Sequence, residues 1–117
     1  MFSVNFYREE DGSKPVGDFI QGLNVKMKAK VVSDLHRPEM PENEAGSPLS
    51  KFLEDDIFEL RTGLGNNIVR ILYFFDGGEI IVVTNGFVKK HQKTPRNEIL
   101  LAKQRRAAYF KRRENKV

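Results

Sequence analysis

Phe58-Glu59-Leu60-Arg61, then Ile68-Val69-Arg70-Ile71-Leu72-Tyr73-Phe74-Phe75, then Asp76-Gly77-Gly78 and Ile80 to Gly86 form the stretch from which the architecture can be read. Alternation from Ile57 to Arg61 puts Phe58 and Leu60 on one face and Glu59 and Arg61 on the other. From Ile68 to Phe75 the same rule groups Val69, Ile71, Tyr73 and Phe75 against Ile68, Arg70, Leu72 and Phe74. The glycine- and asparagine-rich segment from Thr62 to Asn67 reads as a hairpin loop, and Asp76-Gly77-Gly78 as a second, tight turn. Glu79 to Thr84 is almost continuously apolar, so this third strand is expected to be central and buried on both sides. A hairpin pairing Arg61 with a residue near Ile68 sets Glu59 opposite Arg70. It then gathers Glu59, Arg61 and Arg70 on one partly polar face.

Working back from this core, Phe2 to Tyr7 alternates as a strand, and Glu9 to Ser13 is a polar turn. Pro15 suits the first turn of a helix carrying Val16, Phe19, Ile20 and Leu23, with Gly22 at its end. A second helix is expected from about Asn24 to Leu35, burying Met27, Val31 or Val32, and Leu35, with Lys26, Lys28 and Lys30 in water. These helices form a hairpin able to cover one sheet face. Arg37-Pro38 stops the second helix, and Pro38 to Pro48 reads as a long, mobile acidic loop. Phe52 and Leu53 are expected to re-enter the core before a turn at Asp55-Asp56. Working forward, Thr94-Pro95 reads as a helix start, with threonine as cap and Glu98 near the positive end. That helix should run to about Lys111, with Ile99 to Ala102, Tyr109 and Phe110 as its apolar positions. The order is β-α-α-β-β-β-α, an α+β class with a small antiparallel sheet, in one domain spanning residues 1–117.

The chain has 117 residues, 39% of them apolar and 31% charged, which excludes a disordered composition. With no cysteine, disulfides, thiol nucleophiles and zinc thiolate sites are excluded. No apolar run approaches the ~20 residues that cross a bilayer, and the N-terminus lacks a signal peptide's pattern, so a cytoplasmic address is expected. Charge is segregated. Residues 1–86 hold 9 Lys/Arg against 14 Asp/Glu, residues 87–117 hold 11 against 2, and the net is +4. A basic end of this kind suits either a polyanionic partner, nucleic acid first, or a solvated helix.

No glycine-rich phosphate loop is present, and His36 and His91 lack a metal-ligand pattern, so no metal or cofactor is implied. His36 suits the negative end of a helix. What remains is positive charge on rigid strands. Arg61 and Arg70 can clamp a phosphate through paired guanidinium hydrogen bonds, and Lys89, Lys90 and Lys93 can hold neighbouring phosphates. His91, lying among them, titrates near neutrality in isolation and can move protons. The structural alternatives are an Arg70–Glu59 pair across the hairpin and an exposed lysine loop. RNA can be cut by its own 2′-hydroxyl when a protein aligns the attack, neutralises charge growing on the phosphate and assists two proton transfers.

The Glu-Leu-Arg at residues 59–61, the Gly-Asn-Asn loop, Val69 to Phe74, Asp76-Gly77-Gly78, Gly86-Phe87-Val88-Lys89-Lys90 and Lys93-Thr94-Pro95, followed by Glu98-Ile99 and Ala102, resemble a known family. It is the phage-derived, HigB-type branch of the RelE/ParE toxin superfamily, and the likeness covers Phe2 to about Tyr109. The resemblance implies a RelE-like fold, with two helices on one face of a small antiparallel sheet. It implies the toxin of a type II toxin–antitoxin pair, a ribosome-dependent mRNA endoribonuclease that cuts the message in the decoding site. It also implies a helix-turn-helix antitoxin of the HigA type as partner. The family's RNA-binding and cleavage residues fall on Arg61, Arg70, Lys89 and Lys90, with His91 and Lys93 in the same segment. Some ribosome-dependent relatives place a lysine where this chain has Glu59. The long basic C-terminal helix is one that can lie across the active face, and Tyr109 reads either as a late proton donor or as core. Two alternatives stay open. One is a non-enzymatic, ParE-like inhibitor of DNA gyrase; the other is a binding module that only holds an antitoxin.

Overall fold

The computed structural model describes residues 3–36, 50–89 and 93–115. The elements are β1 (Ser3–Phe6), α1 (Pro15–Gln21), α2 (Val25–Leu35), β2 (Ser50–Glu54), β3 (Ile57–Leu64), β4 (Asn67–Asp76), β5 (Ile80–Val88) and α3 (Arg96–Asn115). The five strands form one sheet in the order β1-β5-β4-β3-β2. The α+β class expected from the pattern is found, but the sheet is mixed: β1 lies parallel to β5, with Ser3 beside Ile80 and Phe6 beside Val83. That pairing joins segments far apart in the chain, so no local pattern encodes it. β2 is a further strand. Phe52 does not enter the core on it but stays 47% exposed, edge-on to Phe58. The acidic loop expected after Arg37 lies outside the described residues.

The connection between β3 and β4 closes more tightly than expected. β3 continues to Leu64 and β4 begins at Asn67, so Gly65-Asn66 alone make the connection, with Gly65 at a φ of 62°. This moves the pairing by two residues from the expected register: Arg61 faces Arg70 directly, and Glu59 faces Leu72. A two-residue shift leaves every side chain on its expected face, so Glu59, Arg61 and Arg70 still share one side. Between β2 and β3, Asp55 and Asp56 both have positive φ, 51° and 60°, as the strand-matching two-residue turn requires. Aspartate tolerates that conformation better than most residues.

The sheet is covered on both faces. Val16 and Ile20 of α1 and Met27, Val31 and Leu35 of α2 pack on Leu60, Val69, Ile71, Tyr73, Ile81 and Val83. Asn24 caps α2 by accepting the Met27 N–H at 2.9 Å, and His36 closes it with a ring contact to the Val32 carbonyl at 2.8 Å. Of the two valines, Val31 is buried and Val32 exposed. Gly86 lets α1 approach: a β-carbon there would meet Phe19 ring carbons at 2.7 and 2.9 Å.

On the other face, α3 meets Tyr7, Ile57, Leu72, Phe74 and Val82 through Ala102, Ala108, Tyr109 and Phe110. Only Ile99 and Ala102 of α3 are fully buried. Much of its attachment is ionic. Arg96 and Lys103 bond Glu54, Arg106 holds both the carbonyl and the carboxylate of Asp55, and Arg105 reaches Glu9 at 3.1 Å. Arg112 meets Tyr7 and the Arg8 carbonyl, and Arg113 pairs with Asp76. Among the described residues, Arg96, Lys103, Arg105, Arg106 and Arg113 are therefore paired with acids of the earlier chain, so much of the helix's charge docks α3. The hydrogen bonds from Arg96 and Lys103 hold the Glu54 carboxyl down at about 2.

Two outcomes are expected. Gly86→Ala should lower unfolding free energy by about 1–2 kcal/mol in denaturant titrations, through overpacking against Phe19. Glu54 has a folded pKa below its ordinary value, so its stabilising contribution is present above about pH 4.5 and lost as pH falls towards 2. The melting-temperature gap between the wild type and Glu54→Gln should be open at pH 7 and close across that window.

Candidate functional site

β3, β4 and the end of β5 shape a cleft of about 270 Å³ at the end of the sheet where α3 begins, lined by Arg61, Gly63, Ile68, Arg70 and Lys89. The cross-strand pairing brings the two arginines side by side, and the Lys89 N–H donates to the Ile68 carbonyl at 2.8 Å, carrying the ladder one residue past β5. Three cations thus converge, and no carboxylate lines the cleft among the described residues. Like charges directly opposite each other repel, so a counter-charge is needed.

Glu59 provides it. This carboxylate is 1% exposed, and its Oε2 accepts from Arg70 Nη1 at 3.4 Å and from the Thr94 hydroxyl at 2.5 Å. Arg70 Nη1 also donates to Thr94 Oγ1 at 3.1 Å. The expected Arg70–Glu59 pair is therefore present, buried, and braced by a third group. Arg70 is 4% exposed and lies among polar partners at the cleft floor; Arg61 is half-buried, and its Nε is shielded from water without a hydrogen-bond partner among the described residues. The geometry offers an anion one accessible guanidinium, one fixed guanidinium and one ammonium.

Thr94 was expected as the cap of α3. The helix begins at Arg96, and the threonine hydroxyl is engaged by Glu59 and Arg70. No local signal distinguishes those two uses, because the choice depends on where α3 packs. Asn85 ties the same helix end to the sheet, donating to the Glu98 carboxylate at 2.8 Å. Lys30, expected in water, reaches the Gly63 carbonyl beside the cleft at 3.0 Å.

The remaining expected site residues divide. Lys93 is exposed and lines a separate groove of about 590 Å³ with Lys51, Phe52, Glu54, Thr94 and Arg96, so the structure does not bring it into the cleft. Lys90 and His91 lie outside the described residues. Tyr109 is not at the cleft. Its hydroxyl donates to Asp76 at 2.6 Å, its ring packs on Phe74 and Phe110, and Asp76 is about 20 Å along β4 from Arg70. Burial first, then the Asp76 carboxylate, pushes its pKa up to about 12, which suits a part-buried phenol that packs and does not give up its proton. α3 does lie across the polar face, from Leu72 towards Asp76, and leaves the Arg61 end open.

These features define an α+β protein with a three-cation cleft at one end of a helix-covered mixed sheet. The chain belongs to the phage-derived Gp49-like protein family (DUF891), whose model matches residues 18–107, a span that includes both cleft arginines, Lys89, Glu59 and Thr94. That family is toxin-like, of RelE/HigB type. No curated protein matches the chain.

Removing the buried carboxylate should expose its structural weight. Glu59→Ala removes the carboxylate beside the buried Arg70, and a loss of about 3–5 kcal/mol is expected in chemical denaturation, with Glu59→Gln milder.

Proposed function

We propose that the protein is the toxin of a type II toxin–antitoxin system, of the HigB-type branch with a RelE-like fold, and that it cleaves mRNA on the ribosome. The observation that carries this reading is the direct cross-strand placement of Arg61 and Arg70 with Lys89 on the same cleft. Such a cluster is matched to a phosphodiester: guanidinium groups bind its non-bridging oxygens in pairs, and rigid strands hold them where charge grows.

In the proposed reaction the 2′-oxygen attacks the adjacent phosphorus, the bond to the 5′-oxygen breaks, and a 2′,3′-cyclic phosphate remains on the upstream fragment. No metal is needed for this step. Arg61 grips the scissile phosphate. Arg70, held still by Glu59 and Thr94, supplies fixed positive field from the floor, and Lys89 neutralises the incoming strand. Lys90 and His91, next in the chain, are the proposed proton-transfer groups, one accepting from the 2′-hydroxyl and one donating to the leaving 5′-oxygen. Lys93, in the adjoining groove, contacts flanking RNA. The proposed setting is the cytoplasm, at the decoding site, and the proposed neutralising partner is a helix-turn-helix antitoxin of the HigA type.

Arg61→Ala is the clean test, because Arg61 is half-buried and, unlike Arg70, pairs with no buried carboxylate among the described residues. Induced in cells, it should lose cleavage on the order of 100-fold, read by primer extension on translated messages, with its melting temperature nearly unchanged. Wild-type protein should give discrete in-frame cuts. Undiminished cuts from the variant would remove Arg61 from the reaction. DNA damage without cuts would favour the gyrase-inhibitor alternative.

A further inference from the structure

At the other end of α3 lies a groove of about 550 Å³ that the nuclease reading does not use. It is lined by Val4, Asn5, Phe6, Tyr7 and Tyr109 and by four cations, Arg8, Lys14, Arg112 and Arg113, with no carboxylate in its lining among the described residues. Among these cations, Arg113 pairs with Asp76 behind the groove. Arg112 is spent on the Tyr7 hydroxyl and the Arg8 carbonyl, two uncharged acceptors. Arg8 and Lys14 are exposed, and among the described residues neither side chain has an ion-pair partner. The groove therefore carries a net positive field over an apolar floor.

β1 forms its wall, and β1 is an edge of the sheet. The Ser3 N–H bonds the Glu79 carbonyl at 2.8 Å and the Tyr7 N–H bonds the Val83 carbonyl at 3.0 Å. By strand alternation the amides and carbonyls of Val4 and Phe6 then point away from β5, and among the described residues nothing pairs with them. Edge strands are commonly blunted by a charge, a proline or a bulge. Ser3-Val4-Asn5-Phe6 has no charge and no proline, and its register with β5 is unbroken.

We infer that this edge is a docking site for an extended, acidic segment of a partner protein, which adds a sixth strand beside β1 and places carboxylates on Arg8, Lys14 and Arg112. Main-chain bonds to Val4 and Phe6 supply affinity, and Arg8, Lys14 and Arg112 select acidic sequence. The site stands apart from the Arg61 cleft and does not depend on the reaction proposed there.

The test is an NMR titration of the full chain with a synthetic eight-residue peptide of alternating glutamate and valine. Three controls accompany it: the same peptide N-methylated at alternate backbone amides, its lysine-for-glutamate counterpart, and a short oligoribonucleotide. The acidic peptide should bind saturably and slow exchange of the Val4 and Phe6 amides. The methylated and lysine peptides should not, and RNA should shift Arg61 and Lys89 instead. Arg8→Glu combined with Lys14→Glu, both surface changes, should weaken peptide binding at least tenfold. The inference is overturned if the acidic peptide fails to bind, if the methylated peptide binds equally well, if the Val4 and Phe6 amides stay unprotected, or if RNA takes this groove in preference.

Discussion

A single buried carboxylate organises one end of this molecule. Pairing β3 with β4 sets Arg61 directly across from Arg70, an arrangement that is repulsive by itself. Glu59, two residues before Arg61 on the same face, offsets that repulsion from beneath and binds Thr94 at the mouth of α3. The desolvation of an ion pair is costly unless further hydrogen bonds complete it. Thr94 contributes those bonds, donating to Glu59 and accepting from Arg70. One network thus holds an arginine still, anchors the start of the last helix and leaves a second arginine at the opening.

The distribution of charge follows from how α3 is attached. A helix with two fully buried residues has little apolar area to offer the sheet. Arginines and lysines along its length reach acids on β2, on the Asp55-Asp56 turn, after β1 and at the end of β4. Exposed ion pairs contribute little singly, and more when geometry ties several into a network. This strapping uses much of the basic tail and leaves positive field at two places, the cleft at the helix start and the groove at its end. Those two places present different surfaces, one a small cleft between paired strands with three cations around it, the other a groove open along a strand edge.

Membership of the Gp49-like family fixes the broad class, and a fold of this kind carries more than one chemistry. The cleft narrows that class, because guanidinium groups hold a tetrahedral anion through several directed hydrogen bonds at once.

Much of the architecture was legible in the chain. Period-two alternation assigned faces to Phe58 through Phe75, and Pro15, Gly22 and Asn24 bounded two helices, because these signals act over a few residues and need no distant partner. The face shared by Glu59, Arg61 and Arg70 followed from the same alternation and survived a two-residue error in register. Tertiary structure alone decided the rest. It set β1 parallel to β5, turned Ser50–Glu54 into a strand with Phe52 outside, moved Thr94 from helix cap to brace, and separated Lys93 from the arginines. It also spent the basic helix on the chain's own acids. Each of these depends on contacts between residues tens of positions apart, where local propensity carries no information and the balance of burial against charge pairing makes the choice.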